Sequence, residues 1–318
     1  MTITVVGCGR WGSFIAYYLD TLGHSVTLYG RESSASLQRF RETRTNGLVT
    51  LPNRILLTSS LDVVSGADAV IVSIGSQGLR DLCRESPMQA LRHKTIVLCM
   101  KGLEIGSGCR LSEIVSQTLD SSNTVSVWIG PGHVQEFVKG VPNCMVIDST
   151  DDATKYRLVE AFSGPLIRFY YGTDLIGNEI GAAAKNVIGI AAGMLDGFHL
   201  GSLKGALMSR GTHEIARLIR AMGGNELSAY GLCHLGDYEA TVFSPYSHNR
   251  RFGEAYILGE TYTELAEGYY TVKALVDLAE QCGVELPICR AVYSILYEQA
   301  EPQKVLRTLF DRSLKLEF

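Results

Sequence analysis

The sequence predicts an α/β domain followed by an all-α domain, with a doubly wound parallel sheet in the first. Short β-branched runs alternate with helical patterns up to about residue 172, and from about Asp174 onward only helical patterns remain. These two observations indicate the fold class. The chain has 318 residues, enough for two cores. We therefore predict a first domain at residues 1–173 and a second at residues 174–318.

The predicted strands of the first domain are continuous apolar runs. Such runs indicate a sheet that is covered on both faces, as in parallel α/β folds. We expect helices between the strands, at residues 11–22, 77–84, 110–118 and 152–162. The strand runs are TITVV, SVTLY, AVIVS, TIVLCM, VSVWI and CMVI.

The second domain is predicted to be helical because its apolar residues recur at intervals of three and four. Gly223, Gly224 and Gly283 stand where its helices are expected to end. The helical segments are IGNEIGAAAKNVIGIAAGML, LKGALMSRGTHEIARLIRAMG, TVKALVDLAEQCG and LPICRAVYSILYEQ.

The composition excludes several classes of protein. The formal net charge is −4 and Lys and Arg form no long block, so we expect no nucleic-acid partner. The 8 cysteines include no C-x-x-C pair and no metal-like spacing with histidine, so we expect reduced thiols and no metal site. The apolar stretch at residues 187–195 is far shorter than the roughly 20 residues of a membrane span. We expect a cytoplasmic protein with no membrane span.

The segment GCGRWG, residues 7–12, follows the first predicted strand and opens a helix. Gly7 and Gly9 allow a tight turn that points backbone N–H groups and the positive helix end at a pyrophosphate, and Gly12 allows close helix packing. An ordinary glycine turn is the alternative. The strand SVTLY lies at the right distance, which favours a dinucleotide site and a Rossmann-like domain.

The end of the second strand bears on the choice of dinucleotide. Gly30 stands where NAD-specific proteins usually carry an acidic residue for the ribose hydroxyls, and Arg31 follows it. A missing carboxylate beside an arginine favours NADPH over NADH. Glu32 lies two residues beyond the strand and is expected to face solvent.

Two lysines are candidate functional residues. Lys101 follows the strand TIVLC and projects from the carboxyl edge of the sheet, where such sheets bind ligands. Lys185, with Asn186, interrupts an Ala- and Gly-rich helix, and a buried lysine needs a partner. The alternatives are a solvated loop lysine at 101 and a lysine at 185 that extends to the helix edge.

Two polar segments could bind the substrate. The segments LGDYEAT and SPYSHNRRFG bring Asp237, Thr241, Ser247 and Asn249 close in sequence, where they could hold a phosphate or a diol while Asp237 orients Lys185. The segment GPGHVQE offers N–H groups of a turn to a small oxyanion. Ordinary polar turns are the alternative for both.

Together these motifs resemble the NAD(P)-dependent glycerol-3-phosphate dehydrogenase family of bacterial type. The resemblance runs in family order from Gly7 to about Glu298. It implies a helical domain like the C-terminal domain of 6-phosphogluconate dehydrogenase. It also implies reversible reduction of dihydroxyacetone phosphate to sn-glycerol 3-phosphate with NADPH or NADH, for glycerophospholipid synthesis. The segments that carry it are GCGRWG, KGLE, GPGHVQEFVKGVPN, EIGAAAKNVIGIAAGMLDG, GLCHLGDYEAT, SHNRRFG and AEGYYTVKAL.

The resemblance also implies residue roles. Lys185 corresponds to the proton-transferring lysine, Lys101 to a second lysine near substrate and cofactor, and Asp237 to a polar group of the catalytic set. The implied substrate contacts are Lys101, Gly130, Gly132, Lys185, Asn186, Asp237, Thr241, Ser247, His248 and Asn249. The implied cofactor contacts are Gly7, Gly9, Arg10, Trp11, Gly12, Arg31, Lys101, Val134 and Glu267.

The sequence departs from the family pattern at two places. His248 stands where the family usually has an arginine that helps to bind phosphate, and histidine is a weaker phosphate partner. Gly132 and His133 replace a common Ser-Phe pair. These departures leave open a dehydrogenase for another small phosphorylated or carboxylated 2-hydroxy compound, and a nucleotide-binding homologue without turnover. The family also leaves open a homodimer.

Overall fold

The computed structural model describes residues 1–311, which form two compact units. Unit 1 contains residues 1–101 and 109–179. Unit 2 contains residues 102–108 and the chain from residue 180 onward.

Unit 1 is built on an eight-stranded sheet in the order β3-β2-β1-β4-β5-β6-β7-β8. Strands β1 to β6 run parallel, with Val5 of β1 paired between Leu28 of β2 and Ile71 of β4. The strand order reverses at β1, which places the GCGRWG turn at the switch point where such sheets bind ligands. The strands are β1 Thr2–Val6, β2 Ser25–Tyr29, β3 Leu56–Thr58, β4 Ala69–Val72, β5 Thr95–Leu98, β6 Thr124–Ile129, β7 Asn143–Ser149 and β8 Ile167–Tyr171.

The predicted doubly wound parallel sheet is present in β1 to β6, and the last two strands depart from it. Strand β7 runs antiparallel to β6, and β8 runs parallel to β7. The only helix between β6 and β7 has four residues, Val134–Phe137, which is too short to cross the sheet and return the chain in the same direction. The chain therefore turns back beside β6.

The predicted helices at residues 11–22, 110–118 and 152–162 are confirmed within one residue at either end. The predicted helix at residues 77–84 is shorter than expected and follows a 3₁₀ turn at Ser76–Gly78. Phe14, Trp128 and Phe162 lie in the core of this unit. The helices are α1 Arg10–Thr21, α2 Ala35–Thr43, α3 Leu79–Arg84, α4 Ser86–Gln89, α5 Leu111–Thr118, α6 Val134–Phe137 and α7 Asp152–Phe162.

Unit 2 is helical, as predicted. Helix α9 ends before Gly223 and α11 before Gly283, and both glycines have positive φ angles, of 82° and 65°. Residues 1–311 contain no helix that is both long and apolar enough to cross a membrane. The helices are α8 Leu175–Gly197, which begins in unit 1, α9 Lys204–Ala221, α10 His248–Leu258, α11 Glu267–Gln281, α12 Pro287–Tyr297 and α13 Pro302–Phe310.

Helix α8 is buried along every residue from 181 to 195, which its small and apolar side chains permit. The backbone of α8 lies in direct contact with the backbone of α10. A Cβ at Gly193 would lie 1.8 Å from the carbonyl oxygen of Arg250, and a Cβ at Gly253 would lie 2.1 Å from that of Ile190. Only glycine fits at either position, so the two helices are held at backbone contact distance.

Candidate active site

The turn after β1 has the geometry of a dinucleotide loop. Gly7 has φ +117°, and a Cβ there would lie 2.1 Å from the carbonyl oxygen of Ser73. A Cβ at Gly12 would lie 1.9 Å from the carbonyl oxygen of Gly7, so α1 packs directly on the turn. By contrast, a Cβ at Gly9 would meet nothing within 4 Å.

This turn fits a diphosphate. Gly9 is the N-cap of α1 and has no side chain with which to cap the helix. The first backbone N–H groups of a helix carry the positive end of its dipole, and the space beside Gly9 at the start of α1 is open. The first turn of α1 contains no acidic residue that would repel an anion.

Two further predicted cofactor contacts, Arg10 and Trp11, begin α1. Arg10 is half-buried, and Trp11 packs against Phe14 with ring centroids 5.4 Å apart. Val134 starts α6 and is buried in the core of unit 1, where its side chain serves packing.

The end of β2 offers an arginine rather than a carboxylate. A Cβ at Gly30 would lie 2.4 Å from Cys8 Sγ, so an acidic residue does not fit at that position. Arg31 is exposed. Arg41 Nη1 donates to Glu32 at 2.7 Å, and this hydrogen bond, with that of Ser59, lowers the pKa of the Glu32 carboxyl to about 2. Glu32 is thus held by Arg41, while Arg31 extends into solvent.

Lys101 lies beside residues 130–132, the GPG loop, and both belong to unit 1. Lys101 Nζ donates to the carbonyl oxygen of Gly130 at 2.6 Å. Gly132 has φ +142°, and a Cβ there would lie 2.4 Å from the Phe137 ring. The loop conformation therefore requires glycine at 132, which accounts for the departure from the family's serine at this position.

Unit 2 contains a buried ion pair on α8. Lys185 Nζ lies 2.6 Å from Asp237 Oδ2, and the two side chains are 9% and 1% exposed. Lys185 Nζ also donates to Thr241 Oγ1 at 2.9 Å, and that hydroxyl donates to the Asp237 carbonyl at 2.7 Å. Thr241 lies in a π-helical turn, Glu239–Phe243, a rare conformation that often occurs at functional sites.

Asn249 connects the predicted polar residues of three helices. Its Nδ2 donates to Asn186 Oδ1 at 3.0 Å, and its Oδ1 accepts from the Gly268 N–H at 2.9 Å. Asn186 lies on α8, next to Lys185, while Glu267 is the first residue of α11. These bonds fix the start of α10 and α11 relative to the lysine-bearing turn of α8.

Ser247 and His248 begin α10. Ser247 Oγ accepts from the Arg250 N–H at 3.3 Å and so caps the helix. His248 is half-buried, and its Nδ1 lies 2.7 Å from the Tyr262 hydroxyl.

The structure also shows polar residues that the sequence did not single out. Asp196, at the end of α8, forms an ion pair with Lys204 Nζ at 2.7 Å and a second with Arg250 Nη1 at 2.5 Å. His234 and Tyr238 are fully buried on either side of the turn that carries Asp237. Only their closeness to LGD in the sequence could have indicated them.

Other features of the described residues lie outside this set. An apolar cavity of about 740 Å³ in unit 2 is lined by the C-terminal part of α8 and by α9, α12 and α13, and none of the predicted site residues lines it. Within residues 1–311 no cluster of His, Cys, Asp and Glu is arranged to hold a metal ion.

Comparison with known proteins identifies the family. The N-terminal family model of NAD-dependent glycerol-3-phosphate dehydrogenase matches residues 2–155, and the C-terminal model matches residues 174–307. The chain belongs to the NAD-dependent glycerol-3-phosphate dehydrogenase family. The family resemblance deduced from the motifs is thereby confirmed.

Relatives in this glycerol-3-phosphate dehydrogenase family match along the whole chain. The NAD(P)+ glycerol-3-phosphate dehydrogenase of Pelodictyon phaeoclathratiforme is 35% identical over 100% of this chain and 99% of its own. That of Corynebacterium glutamicum is 34% identical over 100% of both chains. The crystal structure of glycerol-3-phosphate dehydrogenase from Coxiella burnetii superimposes with a TM-score of 0.90 at 28% identity, covering 98% of this chain and 99% of that one. The predicted Rossmann-like and helical fold class is confirmed.

Proposed function

We propose that this protein reversibly reduces dihydroxyacetone phosphate to sn-glycerol 3-phosphate with NADPH or NADH. Residues 1–173 bind the cofactor in this proposal, and residues 174–318 supply the proton. The family membership supports the reaction. The buried pair of Lys185 and Asp237, 2.6 Å apart, is the observation that carries the assignment of residues.

Lys185 is the proton donor in this proposal. A nicotinamide cofactor held by residues 1–173 would supply the hydride, and the carbonyl oxygen of the substrate is then the atom on which negative charge would develop. The Lys185 ammonium stabilises that charge and transfers a proton from Nζ to the oxygen. In the oxidising direction the neutral amine accepts the alcohol proton.

Asp237 and Thr241 keep the lysine in place. The Asp237 carboxylate pairs with the Lys185 ammonium at 2.6 Å, and the Thr241 hydroxyl accepts a hydrogen bond from Nζ at 2.9 Å.

Other predicted residues bind ligands in this proposal. Gly7, Gly9 and Gly12 would hold the cofactor diphosphate, with Arg10, Trp11, the backbone of Val134 and Glu267 as further contacts and Arg31 at a 2′-phosphate. Lys101, Gly130, Gly132, Asn186, Ser247, His248 and Asn249 are the proposed substrate contacts. Arg31 is the reason to favour NADPH.

A steady-state assay tests the reaction and the lysine together. Dihydroxyacetone phosphate is reduced with NADPH and NADH side by side, and Lys185→Ala is expected to lower kcat by about 10² or more. Lys204→Ala is the matched control, because Lys204 is also a buried lysine 2.7 Å from a carboxylate and is expected to leave kcat within about threefold of wild type. Cofactor binding without turnover would support a non-catalytic homologue, and turnover only of another 2-hydroxy compound would reassign the substrate.

The proposal extends to location and assembly. We place the enzyme in the cytoplasm, which is consistent with eight cysteines that form no disulfide within residues 1–311. We also propose a homodimer. Light scattering after size exclusion tests the dimer, and a mass near 34.7 kDa would reject it.

A further inference from the structure

A histidine and a tyrosine lie fully buried beside the turn that carries Asp237. His234 directly precedes the 3₁₀ turn Leu235–Asp237, and Tyr238 directly follows it. Both side chains are 0% exposed, and their rings lie 4.8 Å apart at 65°. A buried histidine must have hydrogen-bond partners for its ring nitrogens, and both partners are present.

The hydrogen bonds define the tautomer of His234. Its Nδ1 lies 2.8 Å from the carbonyl oxygen of Gly181, which can only accept, so Nδ1 carries the proton. Its Nε2 lies 2.7 Å from the Tyr238 hydroxyl. Burial lowers the pKa of His234 to about 4, so the ring is neutral near pH 7 and Nε2 accepts a hydrogen bond from the Tyr238 hydroxyl.

The Nδ1 bond ties the turn to the helix that carries Lys185. Gly181 lies four residues before Lys185 on α8, so its carbonyl oxygen is also the one that accepts the Lys185 backbone N–H in the helix. A Cβ at Gly181 would lie 3.0 Å from His234 Cβ. Glycine therefore lets the histidine reach the helix backbone one turn from the lysine.

The same turn sets the place of the carboxylate. The Asp237 N–H donates to the His234 carbonyl at 3.0 Å, and the Tyr238 N–H donates to the Leu235 carbonyl at 3.1 Å. The residues from 234 to 238 are thus one hydrogen-bonded unit. The hydrogen bond that holds the His234 ring on α8 therefore also sets the direction from which Asp237 Oδ2 approaches Lys185 Nζ.

We propose that His234 is a positioning residue: as the Nδ1–H tautomer it anchors the turn to α8 and so holds Asp237 against Lys185. The proposal rests on the proposed role of Lys185 as proton donor. His234 itself transfers no proton, because its Nδ1–H donates to a backbone carbonyl and its Nε2 accepts a hydrogen bond from a buried hydroxyl.

Two substitutions separate anchoring from simple packing. His234→Asn keeps an amide N–H close to the place of Nδ1 and can still donate to Gly181, whereas His234→Leu fills the space and cannot. Ile219→Val, a buried change elsewhere in unit 2, controls for a small loss of packing. Each variant is assayed as the full chain for kcat, KM and NADPH affinity between pH 5.5 and 9.

Anchoring predicts a specific pattern. His234→Leu lowers kcat about tenfold or more and changes its pH profile, while NADPH affinity stays within about twofold. The kcat values of His234→Asn and Ile219→Val stay within about threefold of wild type, and their pH profiles match that of wild type. Wild-type kcat in His234→Leu, or an equal loss in His234→Asn, would overturn the proposal.

Two measurements do not depend on turnover. Nitrogen-15 NMR of the wild-type histidines, assigned with His234→Asn, is expected to show a protonated Nδ1 and an unprotonated Nε2 in His234. The opposite tautomer would overturn the proposal even if His234→Leu does not fold.

If wild type does not reduce dihydroxyacetone phosphate, the proposed function fails by itself. Crystal structures then decide the anchoring: the distance from Lys185 Nζ to Asp237 Oδ2 should exceed about 4 Å in His234→Leu and stay near 2.6 Å in His234→Asn. Unchanged distances in both variants would reject it.

Discussion

The buried pair of Lys185 and Asp237 gives a quantitative prediction for stability. At 2.6 Å, and with the effective dielectric constant of about 20 that suits protein sites, the attraction is about 6 kcal/mol. Most of that is offset by the cost of removing both ions from water, so the net contribution of the pair is small. Removing one partner is different, because the other charge stays buried without its countercharge.

Asp237→Asn removes the charge and keeps the shape of the side chain. It should lower the free energy of unfolding by about 3–5 kcal/mol, a large part of the 5–15 kcal/mol of an ordinary domain. Lys185→Met should cost a similar amount, because it removes the countercharge of a buried carboxylate. The double variant should be more stable than the sum of the two losses by about 3 kcal/mol, since it buries neither charge.

Urea unfolding followed by far-UV circular dichroism is the assay. Fluorescence is less suitable because the tryptophans, at positions 11 and 128, lie in unit 1. Lys204→Met is the matched control: it should cost less, because Arg250 still pairs with Asp196 at 2.5 Å, and it should leave kcat near wild type. If the two single losses add in the double variant to within about 0.5 kcal/mol, the charges do not interact and the reasoning is refuted.

Three more predictions concern the cofactor, the substrate and pH. Arg31→Ala should raise KM for NADPH about tenfold and leave that for NADH within about twofold, because it removes a charged hydrogen bond to the 2′-phosphate; equal changes would reject this contact. His248→Arg should lower KM for dihydroxyacetone phosphate severalfold, because a guanidinium binds phosphate through a fixed pair of donors, and an unchanged or higher KM counts against His248 as a phosphate contact. Burial raises the pKa of Glu214 to about 7 from 4.5, so the folded chain keeps a proton that the unfolded chain releases between these pH values. Wild type should thus lose stability relative to Glu214→Gln as pH rises from about 4.5 to about 7 in thermal unfolding, and a pH-independent difference would contradict the shift.

Particular residues show what the sequence could and could not predict. The continuous strands and GCGRWG indicated the Rossmann-like unit because their patterns are local. The reversal at β7 was missed, because strand direction depends on a connection whose four-residue helix carries no strong signal. Strand β8 was missed because Arg168, Tyr170 and Tyr171 are exposed, so it lacks a continuous apolar run.

The candidate site likewise contains residues that the sequence indicated and residues that it did not. Lys185 was conspicuous as a charge inside an Ala- and Gly-rich helix. His234 and Tyr238 were not, because a histidine and a tyrosine in a loop are ordinary. Their importance arises from the tertiary contact with Gly181, which no spacing in the sequence reports. Likewise, the position of the Phe137 ring, which the sequence does not report, explains why residue 132 is a glycine.

The backbone contact between α8 and α10 at Gly193 and Gly253 has a consequence for how this protein can evolve. Main-chain atoms set the separation of the two helices there, and side-chain size around them does not. Neighbouring apolar residues can therefore be exchanged over time without moving Lys185 relative to Asn249. An alanine at either glycine, by contrast, would displace a whole helix together with the polar groups that it carries. Sequence drift in the surrounding core and conservation of the site geometry are thus compatible in this protein.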